Sequence, residues 1–156
     1  MRAGPTGVLL ACLAAVAPAA SAGPTIRSVA EASVRVDHPL QAVDSVASRL
    51  GAVLVEPCPR FSSDAEWSQF EEARVNDVVL LMAHLEQAWI DAKAARDDTL
   101  RHEAKAPRRR VAEGRQLVDK LQACAAQNRA SFDPLSVWLR IEREIPRRQA
   151  EIALPE

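Results

Sequence analysis

The chain contains no tyrosine, and its three phenylalanines and three tryptophans make up only 4% of 156 residues. A surface that stacks bases or sugars on aromatic rings therefore has little to draw on. Five glycines supply neither a glycine-rich loop to cradle phosphate nor a Gly-x-Ser-x-Gly elbow for a nucleophilic serine. The three histidines, His38, His84 and His102, never stand four residues apart, and His102-Glu103 lacks the second histidine of a zinc-binding helix, so no metal site or cofactor is expected. An excess of one charge is missing too. The formal net charge is −1, which argues against a dedicated nucleic-acid binder. What remains is a glycine-poor, alanine-rich chain of the kind that makes helices.

The first 22 residues read as a secretory leader. Arg2 is the only early charge, Gly7 to Ala17 is apolar, Pro18 interrupts it, and Ala20-Ser21-Ala22 supplies small residues before a mature start at Gly23. The apolar run is about half the ~20 residues that span a bilayer, so the mature chain is expected to carry no transmembrane anchor. A competing reading lipidates Cys12 after Leu9-Leu10-Ala11, but the apolar stretch continues past that cysteine. Either way residues 23–156 form a single, mostly helical domain in the periplasm or outside the cell. In that oxidising compartment Cys58 and Cys124 are expected to pair.

The one departure from helix is expected early. Ser33-Val34-Arg35-Val36-Asp37 alternates as a strand does, and Pro39 stands where a helix would begin. Leu40, Val43, Val46, Ala47 and Leu50 follow at helical spacing, Gly51 closes that helix, and Ala52 to Val55 reads as a second strand. This strand-helix-strand segment, residues 33–56, resembles the repeating βαβ element of the short N-terminal domains of secretins and some TonB-dependent receptors. The resemblance implies a small envelope-associated interaction module.

Beyond the stiff Pro57-Cys58-Pro59 linker, Ser63 and Glu66 form a capping-box pattern that opens a long helix. Trp67, Phe70, Val78, Leu81, Leu85 and Ala88 make one apolar stripe, and Val75, Val79, Met82 and Trp89 a second beside it. Two stripes mean contact on two sides, which puts this helix at the centre of a bundle. Val111, Val118, Leu121 and Ala125 mark a second helix. After the Asp133-Pro134 start, Leu135, Trp138, Ile141 and Ile145 mark a third, which Pro146 ends or kinks. The expected fold is mainly α: a helical hairpin plus a third helix, a three-helix bundle over residues 63–152.

Two placements of the hairpin turn compete. A turn at Pro107 would leave Cys124 about 35 Å along the bundle from Ser63, whereas the extended chain from Cys58 reaches only about 17 Å. A turn near Arg96 to Thr99, where Asp97 and Asp98 can cap a helix, brings the cysteines level and leaves Pro107 as a kink. The two placements exclude each other unless a helix is broken or the cysteines link separate chains; the intramolecular bridge is favoured.

Between Ala95 and Gln116 lie seven basic residues and four acidic ones. Arg101, Lys105, Arg108, Arg109, Arg110 and Arg115 form a candidate site for an envelope protein or anionic surface through charge-assisted hydrogen bonds. The interleaved Asp97, Asp98, Glu103 and Glu113 support the plainer reading of a solvated face. The leading functional expectation is a non-enzymatic cell-envelope interaction or scaffold protein using this charged helical surface. The alternatives are a helical-hairpin adaptor of a secretion or efflux assembly, with self-association, and a small cell-wall enzyme or inhibitor using Glu71, Glu72 or Glu142.

Overall fold

A computed structural model describes residues 28–154. The leader, its cleavage site after Ala22 and Cys12 lie outside the described residues. Among the described residues five α-helices follow one another: α1 (Val29–Val55), α2 (Asp64–Ala95), α3 (Asp98–Lys105), α4 (Val111–Asn128) and α5 (Pro134–Ile152), with a 3₁₀ turn (Pro107–Arg110) between α3 and α4.

The strands expected at Ser33–Asp37 and Ala52–Val55 are absent; one continuous helix, Val29–Val55, takes in both. The physical reason is the longer period. Ala32, Val36, Pro39, Val43, Val46, Ala47 and Leu50 are buried at steps of three and four, while Val34, which alternation would have paired with Val36, is 59% exposed. Ser28 caps this helix by accepting from the Glu31 N–H at 3.1 Å. Gly51 does not close it, and α1 runs on until Pro57 holds Glu56 in an extended conformation (φ −69°, ψ 146°). With no strand in the segment, the resemblance to secretin and receptor N-terminal domains is overturned.

The long helix α2 is capped as expected at one bond and differently at the other. Ser63 accepts from the Glu66 N–H at 3.2 Å, but the Glu66 carboxylate reaches back to Ser62, taking its N–H at 2.7 Å and its hydroxyl at 2.8 Å. Both apolar stripes are covered, and α2 touches every other helix. Helices α1 and α4 run antiparallel to it: Arg49 meets Asp77, and Gly114 lies against Val78 and Met82 while Cys124 shares a pocket with Phe70. Helix α5 runs parallel to α2, with Arg140 beside Glu71 and Arg148 beside Asn76. The bundle therefore has four rods rather than three, because α1 is a full member and α3 with α4 forms one bent rod.

The hairpin turns at Arg96, which sits in the left-handed region (φ 56°), and Asp97 then accepts from the Thr99 and Leu100 N–H groups at 2.8 and 3.0 Å. Pro107 lies at the start of the 3₁₀ turn that bends the rod. Cys58 and Cys124 are bridged across 66 residues with their Cα atoms 5.3 Å apart, which ties the Pro57-Cys58-Pro59 linker to α4. Pro146 does not end α5, which continues to Ile152. Of the stripe expected on α5, Ile141 is buried and Trp138 and Ile145 pack against the core, whereas Leu135 is 68% exposed and Val137 is buried in its stead.

Two apolar clusters result. The main one joins Val43 to Leu50 of α1, Trp67 to Leu85 of α2, Leu117 to Ala125 of α4, and Val137 and Ile141 of α5. The second is built mostly of small side chains, Ala32, Val36, Ala88, Ala92, Leu100 and Ala104, where α1, α2 and α3 meet. The buried acid Asp77, 6% exposed, is matched by Arg49 at 3.0 Å and Arg74 at 3.7 Å.

Candidate functional site

The six basic residues singled out from the sequence do not form one open patch. Arg108 donates to Glu86 of α2 at 2.8 Å, and its guanidinium carbon lies 5.0 Å from the centre of the Trp89 ring. Arg110 reaches Asp44 of α1 at 2.9 Å and Glu113 at 3.3 Å. These two arginines are struts that fasten the 3₁₀ turn to α2 and to α1. Arg101 pairs with Asp98 of its own helix at 3.1 Å. Lys105, Arg109 and Arg115 are exposed, with no carboxylate partner among the described residues. Of the six, Arg101, Arg108 and Arg110 are held in ion pairs, and Lys105, Arg109 and Arg115 face solvent.

The sequence places Trp89 on an apolar stripe of α2, and the folded chain sets its ring against Arg108, with the Lys93 ammonium 5.4 Å from the same ring. Hairpin arithmetic carried the signal. Counting equally in both directions from a turn at Arg96–Asp97 sets Trp89 level with the residues just before Pro107. On the α1 side of the 3₁₀ turn lies a groove of about 370 Å³, with Leu40, Val43, Ala106 and Pro107 as apolar lining and Asp44, Arg109, Arg110 and Glu113 as charged lining. Arg109 is therefore one of two cations balanced by two acids in a mixed groove, and Lys105 lies about one helical turn before it.

Other chemistry-bearing residues are placed as follows. Glu71 is committed to Arg140 at 3.1 Å, and Glu72 and Glu142 are exposed. Glu72, but neither of the other two, lines the groove of about 240 Å³ between α2 and α5. His38 and His102 are exposed, while His84 is half-buried with no hydrogen-bond partner for its buried Nδ1. Burial, and secondarily the neighbouring His38, hold His84 below the ordinary imidazole range. One face of α2 further on, burial pushes the Asp91 carboxyl up despite the bond it accepts from Gln87 at 3.0 Å. Among the described residues no three His, Cys, Asp or Glu side chains converge as a metal site, and no helix is long and apolar enough to cross a membrane.

Fold and site together define a disulfide-tied helical bundle with a basic and aromatic flank. Comparison with protein families, with curated proteins and with solved structures finds no match for the chain.

Proposed function

We propose that the protein is a non-enzymatic binding module of the cell envelope, periplasmic or secreted, which docks an acidic segment of a partner on the flank around Trp89 and the 3₁₀ turn. The observation that carries this reading is the Trp89 ring approached by both the Arg108 guanidinium and the Lys93 ammonium, with Lys105 and Arg109 exposed on the adjoining stretch of chain and, like Lys93, without a carboxylate partner among the described residues. Arg and Trp are the side chains most often found at the energetic centre of protein interfaces. Exposed cations chiefly speed and orient association, so binding should weaken as salt rises. The disulfide and the absence of a membrane-crossing helix among the described residues are compatible with an extracytoplasmic setting.

Changing Lys93, Lys105 and Arg109 to Glu spares the struts Arg108 and Arg110, so it tests the surface without loosening the fold. An immobilised poly-glutamate peptide should bind the parent chain at low salt and lose at least about tenfold in affinity to the triple variant. The circular dichroism spectrum should not change. Equal binding by parent and variant refutes this surface. An adaptor reading has its own support in Leu135 and Leu139, 68% and 59% exposed one helical turn apart on α5. Sedimentation that stays monomeric at high concentration, unaltered by Leu139→Glu, would remove it.

A further inference from the structure

We propose that the pole of the bundle formed by the start of α1, the end of α2 and α3 is a separately packed cap that opens in mild acid, with the His38–His84 pair as its trigger and Pro39 as its hinge.

The cap has its own small core. Ala32, Val36, Ala88, Ala92, Leu100 and Ala104 form a cluster distinct from the main one, joined to it by the partly buried Leu40, and four of these six are alanines. Each buried alanine removes little apolar surface from water, so this pole is held less strongly than the leucine-rich remainder. The boundary between the clusters falls between Val36 and Val43 on α1 and between Leu85 and Ala88 on α2. Pro39 lies in the first interval and contributes no backbone N–H to α1. His38 borders the same interval, and His84 immediately precedes Leu85.

The charged groups around this boundary give a protonated His84 little relief. On α1, His38 sets a second imidazole beside it, while Arg35, 3.8 Å from Glu31, bears on Asp91 of α2. Asp91 accepts from the amide of Gln87, and its charge attracts His38 as well as Arg35. The C-terminal end brings the Leu154 carbonyl, which accepts from Arg35 at 3.2 Å, while Glu151 is occupied by Arg148 at 2.7 Å. In α3, Asp98 and Arg101 pair with each other and His102 is exposed. A proton added to His84 makes both ring nitrogens donors, and the buried Nδ1 has no acceptor. Consistent with this, the closed pole holds His84 below its ordinary value of 6.5, through burial first and His38 second.

The direction follows by linkage. An opened pole takes up a proton that the closed pole refuses, so the closed form is fully favoured above the ordinary imidazole value. Below that value, and down to the depressed value of the closed state, the balance shifts toward opening by about tenfold per pH unit. The proposal is independent of the binding reading above.

Amide hydrogen exchange resolves it, comparing protection factors corrected for intrinsic rates at about pH 7.5 and about pH 5. Protection over 29–38 and 88–104 should fall relative to 43–50 and 117–125, by up to about tenfold for each pH unit between the ordinary and the depressed imidazole values. His84→Leu should abolish that difference. Equal protection at both pH values, a fall shared by both clusters, or a fall that persists in His84→Leu would each overturn the proposal. Should His84→Leu not fold, titration of the parent His84 imidazole by NMR decides: a value below the ordinary imidazole range supports the trigger, and one at or above it overturns it.

Discussion

Replacing Cys58 and Cys124 together by alanine removes a cross-link that closes a 66-residue loop. In the chain-entropy account, freeing a loop of that length costs about 4 kcal/mol at room temperature, chiefly by enlarging the unfolded ensemble. Against the roughly 5–15 kcal/mol that holds a domain of this kind together, the loss is large. Reduction of the parent protein by a membrane-permeant phosphine, without any substitution, frees the same loop and controls for the lost sulfurs. Guanidinium unfolding followed by far-ultraviolet circular dichroism should show the midpoint falling by about 1 M, taking a slope near 4 kcal/mol per M for a chain of this size. The slope itself should rise, because an uncrosslinked unfolded chain exposes more surface. A midpoint shift under about 0.3 M, with an unchanged slope, would refute the reasoning: the 58–124 loop would then already be held closed in the unfolded state.

Two glycines on helices should respond oppositely. Gly51 has nothing within 4 Å of where a Cβ would stand, so Gly51→Ala should add roughly 0.5–1 kcal/mol of stability through helix propensity alone. At Gly114 the same change would set a Cβ 3.1 Å from Val78 Cγ1 and 3.2 Å from Met82 Cε, so the gain should vanish or reverse; paired thermal melts compare them directly. Asp91→Asn keeps an acceptor for Gln87 and removes a carboxyl whose folded-state value is raised by burial. That group's contribution is complete below the ordinary carboxyl value of 3.8 and is lost as pH rises through the raised one, so the variant should gain on the parent between acid and neutral pH. Urea midpoints at several pH values would show it, and a pH-independent difference would count against a buried Asp91.

What the sequence disclosed was periodicity extended over many residues, and what it concealed was competition between periods and distant pairing. The two stripes of α2, its Ser63 cap and the Asp133-Pro134 start of α5 were legible because each is decided within a few residues of itself. The turn at Arg96–Asp97 was legible only through geometry, since the reach of Cys58 toward Cys124 forbids the alternative at Pro107. The five-residue alternation at Ser33–Asp37 misled because Val34 and Val36 satisfy a strand locally, whereas the helical series through Leu50 buries more surface. On α5, Leu135 faces water and Val137 the core, a rotation that no local pattern fixes because α5 packs chiefly on α2. The basic run was read as a unit, yet Glu86 and Asp44, which claim two of its arginines, lie on other helices.

The disulfide lies at only one pole of α2, beside its first turns, while the alanine-rich cluster occupies the other. The stretch of α2 from Phe70–Arg74 to Ala88–Ala92, roughly 27 Å at 1.5 Å per residue, separates them. The molecule consequently has a mechanical polarity. Tension applied across the bundle meets a covalent stop at the Cys58–Cys124 end and only side-chain packing at the Ala32–Ala92 end, so the helices should peel from the second pole toward the first. If the chain is tethered in its surroundings, the attachment point decides whether load reaches the sealed pole or the one that can part.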